Sequence, residues 1–240
     1  MDDDAVRRAV AGGAAEGAGD DTFVWDPGDG SDVVEGQDGR DTMRFNGAGI
    51  AERFELSANG NRLRFFRDIG TITMDTDGVE TVDVNALGGA DTVTVNDLSG
   101  TDVTRVVADL AGTLGGTTGD GQQDGVIVHG TAGSDVIATA GANGTAQVVG
   151  LAATVDVTHA EPANDTLTVS ADAGDDAVVA TALEASAIRY AASGGTGDDV
   201  LVGGHGDDAL AGGDGDDVLI GGPGVDTLDG GPGSNTLLQD

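Results

Sequence analysis

Apolar and polar residues alternate with a period of two through much of the chain. Thr81-Val-Asp-Val-Asn85, Thr92-Val-Thr-Val95 and Thr166-Leu-Thr-Val169 put Val or Leu on one face and Thr, Asp or Asn on the other. That is the pattern of half-buried strands. Aligning these segments on their acids exposes a repeat. Glu80-TVDVNALGGA-Asp91-TVTV matches Asp124-GVIVHGTAGS-Asp135-VIAT and Asp165-TLTVSADAGD-Asp176-AVVA, with the first acid 11 residues before the second each time. The copies are offset by 44 and then 41 residues. Each predicts a strand, a six-residue turn ending in Asp, and a second strand. A further apolar stretch follows each copy, at Val103–Leu110, Ala146–Leu151 and Ala187–Ala192. Strands repeated in this way stack most naturally as a right-handed parallel β-solenoid, an all-β fold.

From Gly194 the period changes to nine. The blocks GGTGDDVLV, GGHGDDALA, GGDGDDVLI, GGPGVDTLD and GGPGSNTLL run from 194 to 238 without insertion or deletion. Gly holds positions one, two and four in every block, Leu holds position eight, and position six is Asp199, Asp208, Asp217, Asp226 and then Asn235. The first six positions read as a turn that requires positive φ and close backbone approach. The last three read as a short strand with one side chain inward. Two blocks, 18 residues, then close one coil, and stacking lines the leucines into two inward ladders. A single coil has nothing to bury its leucines against, so stacking supplies the stability.

Composition adds an electrostatic problem to this geometry. The chain has 240 residues and a formal net charge of −33; 36 of its 43 acids are Asp, all ten bases are Arg, and Lys and Cys are absent. Residues 191–240 hold ten Asp and no Lys or Arg. Stacking coils places Asp199 beside Asp217 and Asp208 beside Asp226, with nothing in the segment to neutralise them. A hard divalent cation held by carboxylates and turn carbonyls does so, and Ca²⁺ suits an irregular cage of six to eight oxygens better than Mg²⁺.

These 45 residues resemble the RTX (hemolysin-type) calcium-binding β-roll of bacterial secreted proteins, whose repeat is G-G-x-G-x-D-x-U-x. The resemblance implies a roll that binds several Ca²⁺ ions and folds as it binds them, in a protein exported to the extracellular medium. It also implies a ligand set: Asp199, Asp208, Asp217 and Asp226 by side chain, with turn carbonyls around Gly195, Gly197, Gly204, Gly206, Gly213, Gly215, Gly222 and Gly224. Asn235 is neutral, so the site pairing it with Asp217 is expected to be weaker. Degenerate copies lie upstream at Pro27–Glu35 and Gly36–Arg44, with Asp32 and Asp41 at position six, and at Gly130–Ile137, with Asp135. The expected divisions are a flexible acidic tail at 1–21, a degenerate solenoid at 22–193 with repeats of about 41–44 residues, and the roll at 194–238.

Residues 40–69 break the composition, with six of the ten Arg and four of the five Phe. Phe54–Phe66 predicts a hairpin about Asn59-Gly60. The segment reads as an end cap whose Arg pair with the abundant acids; the alternative is a cell-surface or glycan partner surface. The acidity excludes nucleic acid as a default partner, and no run of 18 apolar residues exists for membrane insertion. The start Met1-Asp2-Asp3-Asp4 is acidic where a secretory signal peptide is basic and then apolar. Only Gln239 and Asp240 follow the last block, so a C-terminal export signal is expected to be absent, truncated or embedded. HExxH and GxSxG are absent, and His129, His159 and His205 are scattered, so the expectation is a protein that is not an enzyme. The rival readings are a polysaccharide lyase or epimerase solenoid and a halophilic or ice-binding surface solenoid.

Overall fold

The computed structural model describes residues 18–239, together with the strands Val6–Arg8 and Ala14–Ala15. Much of the 1–21 segment expected as a tail therefore lies outside the described residues. Within it, Val6–Arg8 pairs in parallel with Thr22–Trp25, and Ala14–Ala15 with Val33–Glu35.

The chain is a parallel β-solenoid made of two long sheets, of 12 and 11 strands, on whose faces the chain alternates as it advances. The first sheet runs through Thr22–Trp25, Thr42–Asn46, Thr81–Asn85 and Arg105–Asp109. The second includes Val33–Glu35, Thr92–Val95, Gly125–His129, Thr166–Ser170 and Arg189–Thr196. Val82, Val84, Val93, Leu167 and Val169 are buried, while the Thr and Asp between them stay half-exposed. Two faces of alternating residues thus enclose one thin core, and their Thr-rich outer faces carry the solvent boundary.

The nonapeptides stack as the 18-residue coil requires. Leu201 lies opposite Leu219, and Leu219 opposite Leu237, in the first sheet, while Leu210 lies opposite Leu228 in the second. Leu201, Leu210 and Leu219 are fully buried, and Leu237 in the last coil is 46% exposed.

Upstream, the coils are uneven because each sheet carries an inserted antiparallel meander. In the second sheet Arg53–Asn59, Arg62–Arg67 and Ile72–Asp77 run antiparallel to one another. The two outer strands then rejoin the parallel stack, against Thr92–Val95 and Val33–Glu35. In the first sheet Val136–Ala142, Thr145–Val149 and Thr154–Thr158 do the same, between Ala177–Leu183 and Arg105–Asp109. Of the three predicted second apolar stretches, Val103–Leu110 and Ala187–Ala192 yield parallel strands, whereas Ala146–Leu151 is the middle strand of this meander.

The Arg- and Phe-rich segment is therefore inside the stack, flanked by strands on both sides, and not at its end. Its alternation explains this position. Phe54, Leu56, Leu63 and Phe65 point inward and are fully buried with Trp25 and Phe45. Trp25 and Phe45 stack at 4.0 Å, and Phe65 lies 4.5 Å from Phe45. Outward-facing Arg pair with acids as expected: Arg62 with Glu35 and Asp75, Arg44 with Asp83, and Arg64 with Glu55. Arg67 alone turns inward. It forms a buried pair with Glu52 and lies 5.2 Å from the Trp25 ring. The hairpin loop is Gly60-Asn61, one residue later than predicted, because Asn59 still pairs with Arg62 and Gly60 takes φ +70°.

Candidate metal centre

Each position-six acid stands at the mouth of a strand, and in most of them one side-chain oxygen accepts a backbone N–H of the neighbouring coil. On the first sheet, Asp135 N–H donates to Asp176 Oδ1 (2.7 Å), Asp176 to Asp199 (2.8 Å), Asp199 to Asp217 (2.9 Å) and Asp217 to Asn235 (2.7 Å). On the second sheet the same column runs Glu52, Asp91, Asp124, Asp165, and again from Asp208 to Asp226. Position-five acids form a parallel column, in which Asp175 accepts from Asp198 N–H, and Asp198 from Asp216 N–H. The acids seen in the 11-residue spacing are therefore the supports of successive turns: each satisfies a backbone donor that stacking would otherwise bury unpaired.

The second carboxylate oxygen divides the turns into two kinds. In the turns ending at Glu52, Asp135, Asp165 and Asp208 it accepts the position-two N–H of its own turn, at 2.6–2.7 Å. In the turns ending at Asp41, Asp91, Asp176, Asp199 and Asp217 it is buried with no hydrogen-bond partner. The backbone explains the difference. Position two of these five turns, at Gln37, Leu87, Asp172, Gly195 and Gly213, has φ between +71° and +111°. That sign turns the first peptide of the turn over, so its N–H no longer faces the carboxylate. Asp226 follows Gly222 at φ +93°, and its Oδ2 accepts instead from the Gln239 amide.

Glycine is required where the turn packs on its own carboxylate and on the next coil. A Cβ at Gly194 would lie 2.1 Å from Asp199 Oδ2, and one at Gly212 would lie 2.3 Å from Asp217 Oδ2. At positions two and four the obstacle is backbone: a Cβ at Gly213 would meet Gly195 O at 2.0 Å, and one at Gly215 would meet Gly197 O at 1.9 Å. The carbonyls of both positions therefore face the adjoining turn.

Buried carboxylates in columns of like charge are hard to ionise. Burial, reinforced by neighbouring acids, pushes Asp199 and Asp208 up to about 6 and Asp91 and Asp124 up to about 7, against hydrogen bonds from the backbone that lower them. Asp41, Asp165 and Asp176 are raised in the same way. A carboxyl that is harder to ionise in the folded chain favours folding below its ordinary pKa of 3.8, and this contribution is lost as pH rises through the folded value. Without metal, the solenoid around Asp91 and Asp124 is accordingly expected to melt several degrees higher at pH 5 than at pH 8. Melting curves in EDTA at the two values check this, and a lower melting point at pH 5 refutes it.

An oxygen-rich cage for a hard cation fits these turns. It would draw on the unpartnered buried carboxylate oxygens and on turn carbonyls, both of which suit Ca²⁺. Among the described residues no three His, Cys, Asp or Glu side chains converge on one point, so backbone oxygens must supply much of the coordination. The structure brings Asp199 and Asp217 together in one column and Asp208 and Asp226 in another. The sequence reading missed the role of the first peptide in each turn, whose only signal is Gly or another residue at positive φ in position two. The histidines do not converge: His129 pairs with Asp172, His159 with Asp109 and His205 with Glu184. No helix among the described residues is long and apolar enough to cross a membrane.

No curated protein matches the chain. The family profile described as the RTX calcium-binding nonapeptide repeat (4 copies) matches residues 28–47, 192–219 and 206–237. The first match covers both degenerate copies with Asp32 and Asp41 except Pro27, and the others cover the nonapeptide coils. The chain thus carries repeats of the RTX calcium-binding nonapeptide type, whose partners are calcium ions.

Proposed function

We propose that the chain is a secreted, non-catalytic module whose C-terminal roll, 194–238, folds as it binds calcium, on a degenerate solenoid at 22–193. The observation that carries the reading is the column of Asp176, Asp199 and Asp217, whose second oxygens are buried without a partner, with no Lys or Arg from residue 191 on to balance Asp199 and Asp217. Asp199, Asp208, Asp217 and Asp226 are the proposed side-chain ligands, with the carbonyls of the turn glycines. Bound calcium supplies the positive charge that this column lacks.

The chain's own residues set the order of the sites. Asp199 and Asp217 offer an oxygen with no competing donor. Asp208 must give up the Gly204 N–H, and Asp226 the Gln239 amide. Asn235 contributes no charge and weakens the last site. Extracellular calcium modules typically have Kd on the order of 10⁻⁴–10⁻³ M. At ~100-fold excess over Kd one site adds roughly 2.7 kcal/mol, so three add about 8 kcal/mol, against a typical domain stability of about 5–15 kcal/mol. Ions of that number decide whether the roll is closed.

Circular dichroism of the full chain, stripped with EDTA and titrated with Ca²⁺, tests the reading. The expected result is a cooperative gain of β signal with Ca²⁺ that Mg²⁺ and NaCl do not reproduce. Equal gains with NaCl would mean general charge screening, and a fully formed roll in EDTA would remove the coupling to folding.

A further inference from the structure

Outside the matched repeats, the turn Ala171–Asp176 keeps Gly at position four and Asp at positions five and six, but position one is Ala and position two is Asp. Its backbone nevertheless has the form of the turns downstream. Asp172 at position two has φ +72° and Gly174 at position four has φ +129°, as Gly195 and Gly197 have +105° and +125°. An Asp held at left-handed φ is uncommon and is maintained only by its surroundings. The stacking is equally close. A Cβ at Gly195 would meet Asp172 O at 2.0 Å and one at Gly197 would meet Gly174 O at 2.0 Å, against 2.0 Å and 1.9 Å for Gly213 and Gly215 on the turn before them. Asp176 is 2% exposed, and its Oδ2 is buried with no partner.

We propose that Ala171–Asp176 and the stacked turn Gly194–Asp199 form a further site for a hard divalent cation, Ca²⁺, with the Asp176 carboxylate as a ligand. The carbonyls of Asp172 and Gly174 are the backbone oxygens that face the adjoining turn. The acids nearest Asp176 are Asp135, Asp172 and Asp175, with Asp199 accepting its N–H; His129 lies 3.1 Å from the Asp172 carboxylate, and no Arg among the described residues pairs with any of these acids. The turn Ala86–Asp91 also leaves an oxygen unpartnered, but its neighbour Glu52 already has Arg67 beside it. A first coil loaded in this way would join the nonapeptide roll to the upstream solenoid through a shared ion. The proposal rests on the calcium reading of the downstream repeats.

Calcium bound per full chain, counted by equilibrium dialysis, is compared for the wild type and Asp176→Asn. Asn is the conservative choice because Asn235 occupies the same column and still accepts Asp217 N–H. The expected result is one ion fewer for D176N, with a wild-type circular dichroism spectrum in calcium. An unchanged count overturns the proposal. A crystal structure of the wild-type chain grown with Ca²⁺ decides independently if D176N does not fold. An ion about 2.3–2.6 Å from Asp176 Oδ2 supports the site. Ions on the 194–235 turns without one at Asp176 overturn it and leave the general reading standing. A wild type that binds no calcium overturns both.

Discussion

Gly213→Ala is expected to abolish the closed roll even at saturating calcium. A methyl group there lies 2.0 Å from the Gly195 carbonyl oxygen and 2.8 Å from its carbon, and the residue has φ +111°. Neither contact is with a side chain that can rotate away, so the coils must separate or the turn must change its form. Separation breaks the register of Leu201, Leu219 and Leu237 and the Asp199–Asp217 hydrogen bond together. A loss of about 4 kcal/mol or more follows, in the range reserved for core disruption. Gly49→Ala serves as control, since a Cβ at Gly49 meets nothing within 4 Å. Thermal melts in calcium should show the β signal of the roll lost in G213A and kept in G49A. Coincident melting of the two variants would mean that the coils have slack that their packing does not suggest.

The second large effect is expected at Arg67. Its guanidinium is the one inward cation of the meander, with Nε 2.6 Å from Glu52 Oε1. Glu52 is fully buried, accepts the Ala48 N–H and donates its own N–H to Asp91. Arg67→Met keeps the bulk against Trp25 but leaves Glu52 charged and alone. Removing one partner of a buried pair typically costs about 3–5 kcal/mol. Adding Glu52→Gln should recover much of the loss, because the amide keeps an acceptor without the charge. Denaturant melts of R67M, E52Q and the double variant measure this. If the double variant is as unstable as the sum of the singles, the pair is not what holds this region.

How far the fold was legible depended on which residues carried the signal. The nine-residue register specified the roll because Gly, Asp and Leu each meet a separate demand there: φ, a backbone donor and the core. Upstream, the alternation of Val and Thr announced strands but not their direction. The meander at 136–158 was missed although Asn143-Gly144 is a strong hairpin signal; both residues take positive φ, +53° and +74°. It was obscured because Ala146–Leu151 also fitted the series of second apolar stretches. The Phe-rich segment was placed at an end on composition, whereas Phe54, Leu56, Leu63 and Phe65 join the same core as Trp25 and Phe45 from the coils beside it. The acids of the candidate sites were legible from spacing alone. Which oxygens remain free was not, because that depends on a peptide orientation that non-glycine residues adopt at Gln37, Leu87 and Asp172.

The column of stacked turns also organises the solvent around the roll. Coils in a parallel sheet rise by about 4.8 Å, and the coil 203–220 carries five Asp: 207, 208, 214, 216 and 217. Fully ionised, that is roughly one charge per ~1 Å of axis, denser than the one per ~1.7 Å of duplex DNA. The roll is then a short polyanionic rod wrapped in its own atmosphere of monovalent counterions, which incoming calcium must displace. Its affinity is a property of the medium as much as of the turns, and a dissociation constant for this chain has meaning only with the salt concentration stated beside it.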